Sequence, residues 1–342
     1  MNAPPACAPE RPPRVSVGLA VYNGENFIAP ALESILSQTL RDLEVVVSDN
    51  ASTDRTAEIC RAYASRDSRI RYTRNDVNIG STRNFNRVFE LSRGEYFKWA
   101  AHDDLIAPEF LEECVGVLDA NPDVVLCHTG TSIIDVQGNV TRRLEEKSGT
   151  SSFKVHRRFR ALLFDYWCFE IFGVIRAAAL SKTSLIGVYG HGEAILLSKL
   201  GMMGRFHQIP ECLFYNRDHP AKSRYLYSTY RDYTIWLDPT KAGRIILPRW
   251  RMGIEYLKAV GSSSLGRQER LLCYGAMAGW VRVFWKSLAA NLAIALRDAG
   301  RKALSTVYSR RRARRCDEPE IHTAYGSGPA VPRRKEVEQI EL

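Results

Sequence analysis

The first 110 residues alternate between short apolar runs and longer segments in which apolar residues recur at helical spacing. Residues 14–23 form an apolar run that ends in Asn-Gly, which predicts a strand followed by a turn. In residues 25–40 the apolar side chains fall at intervals of three and four, which predicts an amphipathic helix. Further strands are predicted at 43–47, 70–76 and 95–101, with helices between them. This order is typical of a parallel sheet wrapped by helices.

The pattern is less regular in the rest of the chain. Residues 140–160 are polar enough to predict a loop, and from about residue 235 the apolar spacing is helical to the end. Near the C-terminus one apolar stripe is predicted, with Arg282 and Lys286 off it: Trp280, Val283, Phe284, Leu288, Leu292 and Leu296. A helix of this kind packs as ordinary core, lies in a membrane interface with its basic face toward anionic lipid, or forms a dimer contact.

Composition and charge limit the kinds of protein and of binding partner that the sequence predicts. The 342 residues are 45% hydrophobic and 25% charged, which is ordinary for a soluble globular protein. The net charge of +10 comes partly from basic runs at 309–315 and 332–335, and suits an anionic lipid or a phosphorylated substrate. Arginine runs without interleaved aromatic residues do not predict specific nucleic-acid binding. Eight cysteines without a CxxC pair favour free thiols in a reducing compartment.

Polar residues follow three of the predicted strands. Asn23, Asp49 and Asp103 come directly after the first, second and fourth strands, and ligands of parallel sheets bind at the carboxyl ends of the strands. The adjacent carboxylates of Asp103 and Asp104 suit a hard divalent cation such as Mg²⁺ or Mn²⁺, which prefers oxygen ligands. Alternatively, both aspartates only cap the helix that begins near Pro108.

Four linked motifs resemble the family 2 glycosyltransferases of the GT-A fold. They are "VYNGE" (21–25), "VVVSDNASTD" (45–54), "RNDVNIGSTRN" (74–84) and "GEYFKWAAHDD" (94–104), and the resemblance extends from about residue 14 to residue 223. It implies an α/β fold with a Rossmann-like, mostly parallel sheet flanked by helices, and a helical C-terminal appendage. It also implies an inverting, Mn²⁺- or Mg²⁺-dependent transfer of sugar from a nucleotide-diphosphate sugar, with a UDP-sugar favoured. The acceptor would be a hydroxyl of a glycan or lipid-linked molecule in cell-surface polysaccharide or glycolipid synthesis.

The resemblance also implies roles for individual residues near the nucleotide. Val21, Tyr22, Asn23 and Glu25 would border the base, with the Tyr22 side chain against the ring. Asp49 would contact the uracil or ribose edge of the donor. Residues 78–84 ("NIGSTRN"), which we call the glycine loop, would bring Asn78, Gly80 and Arg83 near the nucleotide. Glycine there permits close backbone approach, and arginine opposes negative charge.

The same resemblance assigns the metal site and the catalytic base. His102, Asp103 and Asp104 occupy the acidic metal motif, in which Ala101 replaces a further aspartate that the family often carries. Asp103 is the first expected ligand and Asp104 the second, while His102 and Asp104 would also border the nucleotide sugar. Three downstream residues complete the site: Glu193 as the base, Arg217 facing the diphosphate, and His219 as a further metal ligand.

Each assignment has a structural alternative. Asn78 and Gly80 also fit a plain turn, the Tyr22 side chain also fits packing on the sheet, and Asp49 also fits a local turn. Glu193 at a helix start also fits an interaction with the helix dipole, and a lone histidine such as His219 is commonly structural. For the whole chain, the alternatives are a non-catalytic sugar-nucleotide-binding module, which Ala101 favours, and a nucleotidyltransferase.

We predict four segments along the chain. A disordered lead-in covers residues 1–13, the GT-A domain 14–235, a helical region 236–308, and a basic disordered tail 309–342. The lead-in has no apolar segment typical of a secretory signal, and no transmembrane helix is predicted. We therefore expect a cytoplasmic protein, with peripheral attachment to the cytoplasmic face of a membrane as an open alternative. The sequence does not predict the oligomeric state.

Overall fold

A computed structural model describes residues 11–144, 149–164, 168–226 and 230–316. The strands in these residues are β1 Val15–Val21, β2 Leu43–Asp49, β3 Ile70–Arg74, β4 Tyr96–Ala101, β5 Leu105–Ile106, β6 Val124–Ile134, β7 Val140–Arg143, β8 Val174–Arg176 and β9 Arg205–Arg217. The α-helices are α1 Ile28–Leu36, α2 Thr56–Arg66, α3 Ser81–Glu90, α4 Phe110–Ala120, α5 Val155–Leu163, α6 Ala177–Leu180, α7 Gly192–Met203, α8 Ser223–Leu226, α9 Tyr230–Leu237, α10 Pro248–Gly261 and α11 Arg267–Cys316. Short 3₁₀ helices cover Phe169–Phe172 and Pro239–Lys241.

The strands form one sheet in the order β3-β2-β1-β4-β8-β6-β9-β5, with β7 added to β6. The pairs β1–β2, β1–β4, β2–β3 and β6–β9 are parallel, and β8 is antiparallel to both of its neighbours. Strands β4 and β6 therefore run in the same direction. The carboxyl ends of β1, β2, β4, β6 and β9 consequently meet at one edge of the sheet, where the predicted site residues are concentrated.

Helices cover both faces of the sheet, which explains why the central strands are buried and mostly apolar. Every residue of β1 and β2 is buried, as expected for parallel strands that contact a helix layer on each side. One core cluster joins the sheet to α1 and α4, with Leu32 and Phe110 as members. The cluster on the opposite face includes Trp99 of β4 and Leu196 of α7. The predicted α/β sheet flanked by helices is confirmed.

The apolar stripe predicted for the C-terminal helix is partly wrong. Trp280 and Leu288 are buried, and the Trp280 ring packs against Tyr256 of α10. Val283 and Leu292, however, are 58% and 45% exposed. The buried face of α11 instead runs through Cys273, Met277, Trp280 and Leu288. Because apolar residues lie on more than one side of this helix, spacing alone did not identify the row that packs against α10.

The chain divides after Ala295 into two compact units, residues 1–295 and residues 296–342. The predicted boundaries at residues 235 and 308 stay predictions. Residues 1–10 of the predicted lead-in and residues 317–342 of the predicted tail lie outside the described residues. Among the described helices, none combines the length and apolar character needed to cross a membrane.

The loop predicted at residues 140–160 is wrong where the structure describes it. Strand β7 pairs with β6, and α5 buries Phe159, Leu162 and Leu163 against the core. The exposed residues of β7 make the segment polar, but Arg158 of α5 is buried. Its guanidinium donates hydrogen bonds of 2.6 Å to the carbonyl oxygens of Gly201 and Ser152. A charged side chain here joins two parts of the chain and does not mark an exposed loop.

Candidate functional site

The two aspartates after β4 have different surroundings. We call His102–Asp104 the acidic turn. Asp104 accepts hydrogen bonds from the Asn216 side-chain amide (3.1 Å) and from the Arg217 backbone N–H (2.9 Å), so it fastens the turn to the end of β9. Asp103 instead lies beside His219, with 2.9 Å between Asp103 Oδ2 and His219 Nε2. The structure thus brings Asp103, Asp104, Arg217 and His219 together, as predicted, although they lie more than a hundred residues apart.

Cationic side chains surround the acidic turn. Lys222 Nζ lies 3.9 Å from Asp103 Oδ2 and 3.7 Å from Asp104 Oδ1. The Arg217 guanidinium is fixed by hydrogen bonds to the backbone. It donates to the carbonyl oxygens of Asp103 (3.0 Å), Asp135 (2.9 Å) and Val136 (2.8 Å). Arg217 therefore stabilises the loops around the site, and its predicted contact with a diphosphate stays a prediction.

The pKa values of the Asp103 and Asp104 carboxyl groups shift in opposite directions. Burial alone would raise the pKa of Asp103, but the His219 hydrogen bond and the charges of His102 and Lys222 hold that pKa well below its usual range. Burial, followed by the negative charge of Asp103, raises the pKa of Asp104 to about 6. Desolvation also lowers the pKa of His102. Asp103, the carboxylate that faces His219, therefore keeps its negative charge at low pH, whereas Asp104 takes up a proton as the pH falls through about 6.

The pair of Asp103 and His219 fits a divalent ion as part of its ligand set. Two adjacent ligands of an octahedral ion, each about 2.1 Å from it, lie about 3 Å apart. The 2.9 Å between Asp103 Oδ2 and His219 Nε2 is the length of the hydrogen bond that they share, which an ion bound to both atoms would replace. Among the described residues, no group of three or more His, Cys, Asp or Glu side chains is arranged for a metal. An ion here would thus take most of its ligands from substrate and water, as Mg²⁺ commonly does.

A buried lysine lies beneath the acidic turn, and sequence reasoning missed it. Lys98 of β4 is buried, with Nζ 3.0 Å from the Trp99 carbonyl oxygen and 4.9 Å from the centre of the Phe110 ring. Burial lowers its pKa to about 8, and the attraction of Asp104 opposes this shift. The signal was a single lysine inside the apolar strand "YFKWAA".

We expect Lys98→Met to remove a pH-dependent part of the stability. The folded pKa of about 8 is below the ordinary 10.5, so the unfolded chain binds more protons between these values and stability rises with pH there. Below pH 8 the cost of the buried charge is fully present, about 3 kcal/mol for a shift of this size. Urea unfolding should show the variant more stable at pH 7, with the difference disappearing near pH 10.5. A difference that does not change with pH would contradict this expectation.

The loops after β1 and β2 are bound to each other. The Asn23 side-chain oxygen accepts the Thr53 N–H at 2.8 Å, and the Glu25 carboxylate accepts the Arg55 N–H at 3.0 Å. Asn23 has φ of 51°, a left-handed conformation that asparagine tolerates. Val21 is buried and the Tyr22 side chain is 43% exposed beside them. The exposed Tyr22 ring is consistent with the predicted contact to a base.

Asp49 is fully buried, and its carboxylate is already occupied. It accepts hydrogen bonds from the Ser52 N–H (2.8 Å), the Tyr72 hydroxyl (2.8 Å) and Arg74 Nη1 (2.9 Å). This arrangement matches the local-turn alternative. Its predicted contact with a nucleotide stays a prediction, and such a contact would require one of these partners to move. Tyr72 and Arg74 were not singled out by sequence reasoning.

The glycine loop is organised by asparagine side chains. Asn78 Oδ1 accepts the Gly80 N–H (2.9 Å) and the Asn50 side-chain amide (2.8 Å), which links this loop to the end of β2. Gly80 has φ of 87°, a conformation that favours glycine. Arg83 is half exposed and lies 3.9 Å from the Asp238 carboxylate. Asn78 and Gly80 thus form a turn, and that turn is placed beside the other strand ends.

Glu193 lies in the first turn of α7 and is half-buried. Burial raises the pKa of its carboxyl group. The preceding segment is joined to α3 by paired hydrogen bonds between the Asn86 side chain and the Ile186 backbone (2.9 and 3.1 Å). In the described chain, no hydrogen bond or ion pair joins Glu193 to the acidic turn. A cavity of about 770 Å³, lined by Val124, Lys182 and Lys199, lies at the opposite edge of the sheet and includes none of the predicted residues.

Comparison with known proteins identifies the family. The model of the family described as Glycosyl transferase family 2 matches residues 16–188, which is half of the chain. The chain belongs to glycosyltransferase family 2. An uncharacterized glycosyltransferase from Methanocaldococcus jannaschii is 31% identical over 135 residues, which cover 39% of this chain and 47% of that protein. The chain thus spans about half the length of this relative.

Solved structures show the fold of this family 2 glycosyltransferase. S. aureus TarS 1-349 in complex with UDP aligns with a TM-score of 0.58 at 16% identity, covering 80% of this chain and 72% of that one. Mannosyltransferase PcManGT from Pyrobaculum calidifontis, in complex with GDP-Man and Mn²⁺, aligns at 0.50 with 21% identity, covering 89% and 82%. The predicted GT-A fold is confirmed. The family match ends before Glu193, Arg217 and His219, so their roles stay predictions.

Proposed function

We propose that the protein transfers a sugar, with inversion, from a nucleotide-diphosphate sugar to a hydroxyl group of a glycan or lipid-linked acceptor. The observation that carries the proposal is the Asp103–His219 pair, held at the carboxyl ends of the strands beside Lys222. Its support from relatives is the UDP bound by TarS and the GDP-Man bound by PcManGT. A UDP-sugar is our proposed donor.

Asp103 and His219 would hold Mn²⁺ or Mg²⁺ in this proposal. Such an ion, when bound, would neutralise the negative charge that develops on the departing diphosphate. Lys222 contributes a fixed positive charge in the same place, since its ammonium lies within 4 Å of both carboxylates. Asp104 and Arg217 position the turn through their hydrogen bonds.

Glu193 would be the general base. In a single displacement the acceptor oxygen attacks the anomeric carbon, the bond to the diphosphate oxygen breaks, and a Glu193 carboxylate oxygen takes the hydroxyl proton. A base works best when its pKa is close to the operating pH. The raised pKa of Glu193 agrees with this requirement, and its cause is burial at the start of α7.

A second candidate function is binding of a nucleotide sugar without turnover. It is favoured by Ala101, which places an apolar side chain in the acidic motif. A binding module needs the loops after β1 and β2 but needs neither a metal nor a base. Donor binding measured separately from donor turnover distinguishes the two functions.

We expect a panel of UDP- and GDP-sugars to reveal one donor that stabilises the protein in the presence of Mn²⁺ or Mg²⁺. A ligand at a hundred times its Kd stabilises the folded state by about 2.7 kcal/mol, which a thermal melt detects. The same donor should release nucleotide diphosphate, and a chelator should abolish the release. Stabilisation without release, with acceptors present, would support the binding module, and release unaffected by chelator would contradict metal dependence.

A further inference from the structure

An apolar surface covers neighbouring flanks of α10 and α11. On α10, Trp250, Ile254 and Leu257 recur at intervals of four and three, and each is more than 40% exposed. On α11, Val281, Trp285 and Leu292 lie seven and three residues before and four residues after Leu288, so they share its flank of the helix. Their exposed fractions are 47%, 57% and 45%. We call these six residues the apolar strip.

Contacts between the two helices make the strip continuous. The helices are antiparallel, since the Arg249 N–H donates to Asn291 Oδ1 at 3.0 Å and Tyr256 packs on Trp280. The Trp250 indole N–H donates to the Leu288 carbonyl oxygen at 3.0 Å, which places the α10 row beside the α11 row. An exposed apolar area of this kind, containing two tryptophans, commonly marks an interaction site.

Basic side chains border the apolar strip on both sides. On α11, Arg282 and Lys286 are exposed, and within the part of the chain that the structure describes neither pairs with an acidic side chain. On α10, Arg251 and Lys258 are exposed and share one acidic partner, Glu255. Residues 271–295 contain no aspartate or glutamate. The surface therefore combines apolar character with net positive charge.

From this combination we infer that the apolar strip docks on an anionic lipid surface. Tryptophan side chains favour the boundary between headgroups and acyl chains, and basic residues at the edge of an amphipathic surface are attracted to anionic headgroups. A second copy of the chain is a poorer occupant. In a twofold dimer through the strip, the cations of one copy would face those of the other, and like charges oppose association.

Vesicle sedimentation of the full chain tests this inference without donor or acceptor, so its result does not depend on the proposed function. The wild-type protein should sediment with phosphatidylglycerol vesicles at low salt and much less with phosphatidylcholine vesicles. Val281→Asp should lower the vesicle–water partition coefficient at least about tenfold, because it places a charge in the strip. The double variant Arg282→Gln with Lys286→Gln should weaken it by about 30-fold, since two basic residues are removed.

Val283→Asp is the matched control. Val283 is 58% exposed, lies on the same helix two residues from Val281, and points away from the strip. Its partition coefficient should fall by no more than about fivefold, because the added charge offsets one basic residue without entering the strip, and the loss should be clearly smaller than that of Val281→Asp. Circular dichroism should show all variants folded. Equal loss in the Val281 and Val283 variants, equal binding to both lipids, or no binding would overturn the inference. A dimer that Val281→Asp converts to monomer, without vesicle binding, would identify a second copy as the occupant.

Discussion

Asp103→Asn is expected to lower kcat/KM about a thousandfold while leaving the protein folded. The substitution keeps the shape of the side chain but removes the charge that would hold a metal ion against the departing diphosphate. Losses of 10²–10³-fold are usual when one preorganised electrostatic contact to a transition state is removed. Steady-state kinetics at several Mn²⁺ concentrations measure the effect, and excess metal should recover part of the rate.

Asp104→Asn serves as the comparison, because it changes the adjacent carboxylate in the same way. Asp104 accepts hydrogen bonds from Asn216 and Arg217 and so positions the turn, and we therefore expect a milder loss of transfer. The opposite order of the two variants in kinetics would assign the ligand role to Asp104. If Asp103→Asn keeps the wild-type rate under limiting metal, the proposed metal site is wrong.

Glu193→Gln is expected to lower turnover by about 10²-fold or more with little change in donor affinity. Loss of a general base has this scale, and the glutamine amide cannot accept the proton of the acceptor hydroxyl. In the wild-type protein the acidic limb of the kcat/KM profile should titrate above the ordinary range of glutamate, because burial raises the pKa of Glu193. Activity should rise with pH through that pKa, since only the carboxylate acts as base.

Two controls accompany this variant. Glu193→Asp keeps the carboxylate and should retain more activity than the glutamine variant, while the acidic limb of the profile persists. Donor binding by calorimetry should be nearly equal in all three proteins. Normal turnover in a folded Glu193→Gln protein would move the base elsewhere, first to Glu170 or to Asp165, which lies outside the described residues.

Hydrophobic patterning predicted the first half of the sheet because its strands are buried on both faces. The run at residues 43–47 is apolar except for Glu44, and β2 extends it only to Asp49. The same logic placed Asp49 and Asp103 at strand ends. Patterning could not show that the Asp49 carboxylate accepts hydrogen bonds from Tyr72 and Arg74, since hydrogen-bond partners are set by distances in the folded chain.

The second half was harder because its pairings are distant in sequence and its polar residues are buried. Strand β9 pairs in parallel with β6 through three shifts of register, which no local pattern encodes. Lys98 and Arg158 are both buried cations, although charge normally indicates exposure. Motif resemblance nevertheless brought Asp103, Arg217 and His219 into one proposed site, and the contacts of β9 explain how they meet.

The hydrogen bond from the Arg217 N–H to Asp104 joins residues 113 positions apart. Bringing residues this distant together costs chain entropy, and domains with many such contacts fold slowly, so we expect this contact to form late. A refolding chain would complete β1 to β4 before the end of β9 docks, and would pass through a state with much of the sheet but without the site. Donor binding should consequently recover more slowly than secondary structure after dilution from urea. Hydrogen exchange at the Arg217 amide during refolding would show when its hydrogen bond to Asp104 forms and the site becomes able to bind donor.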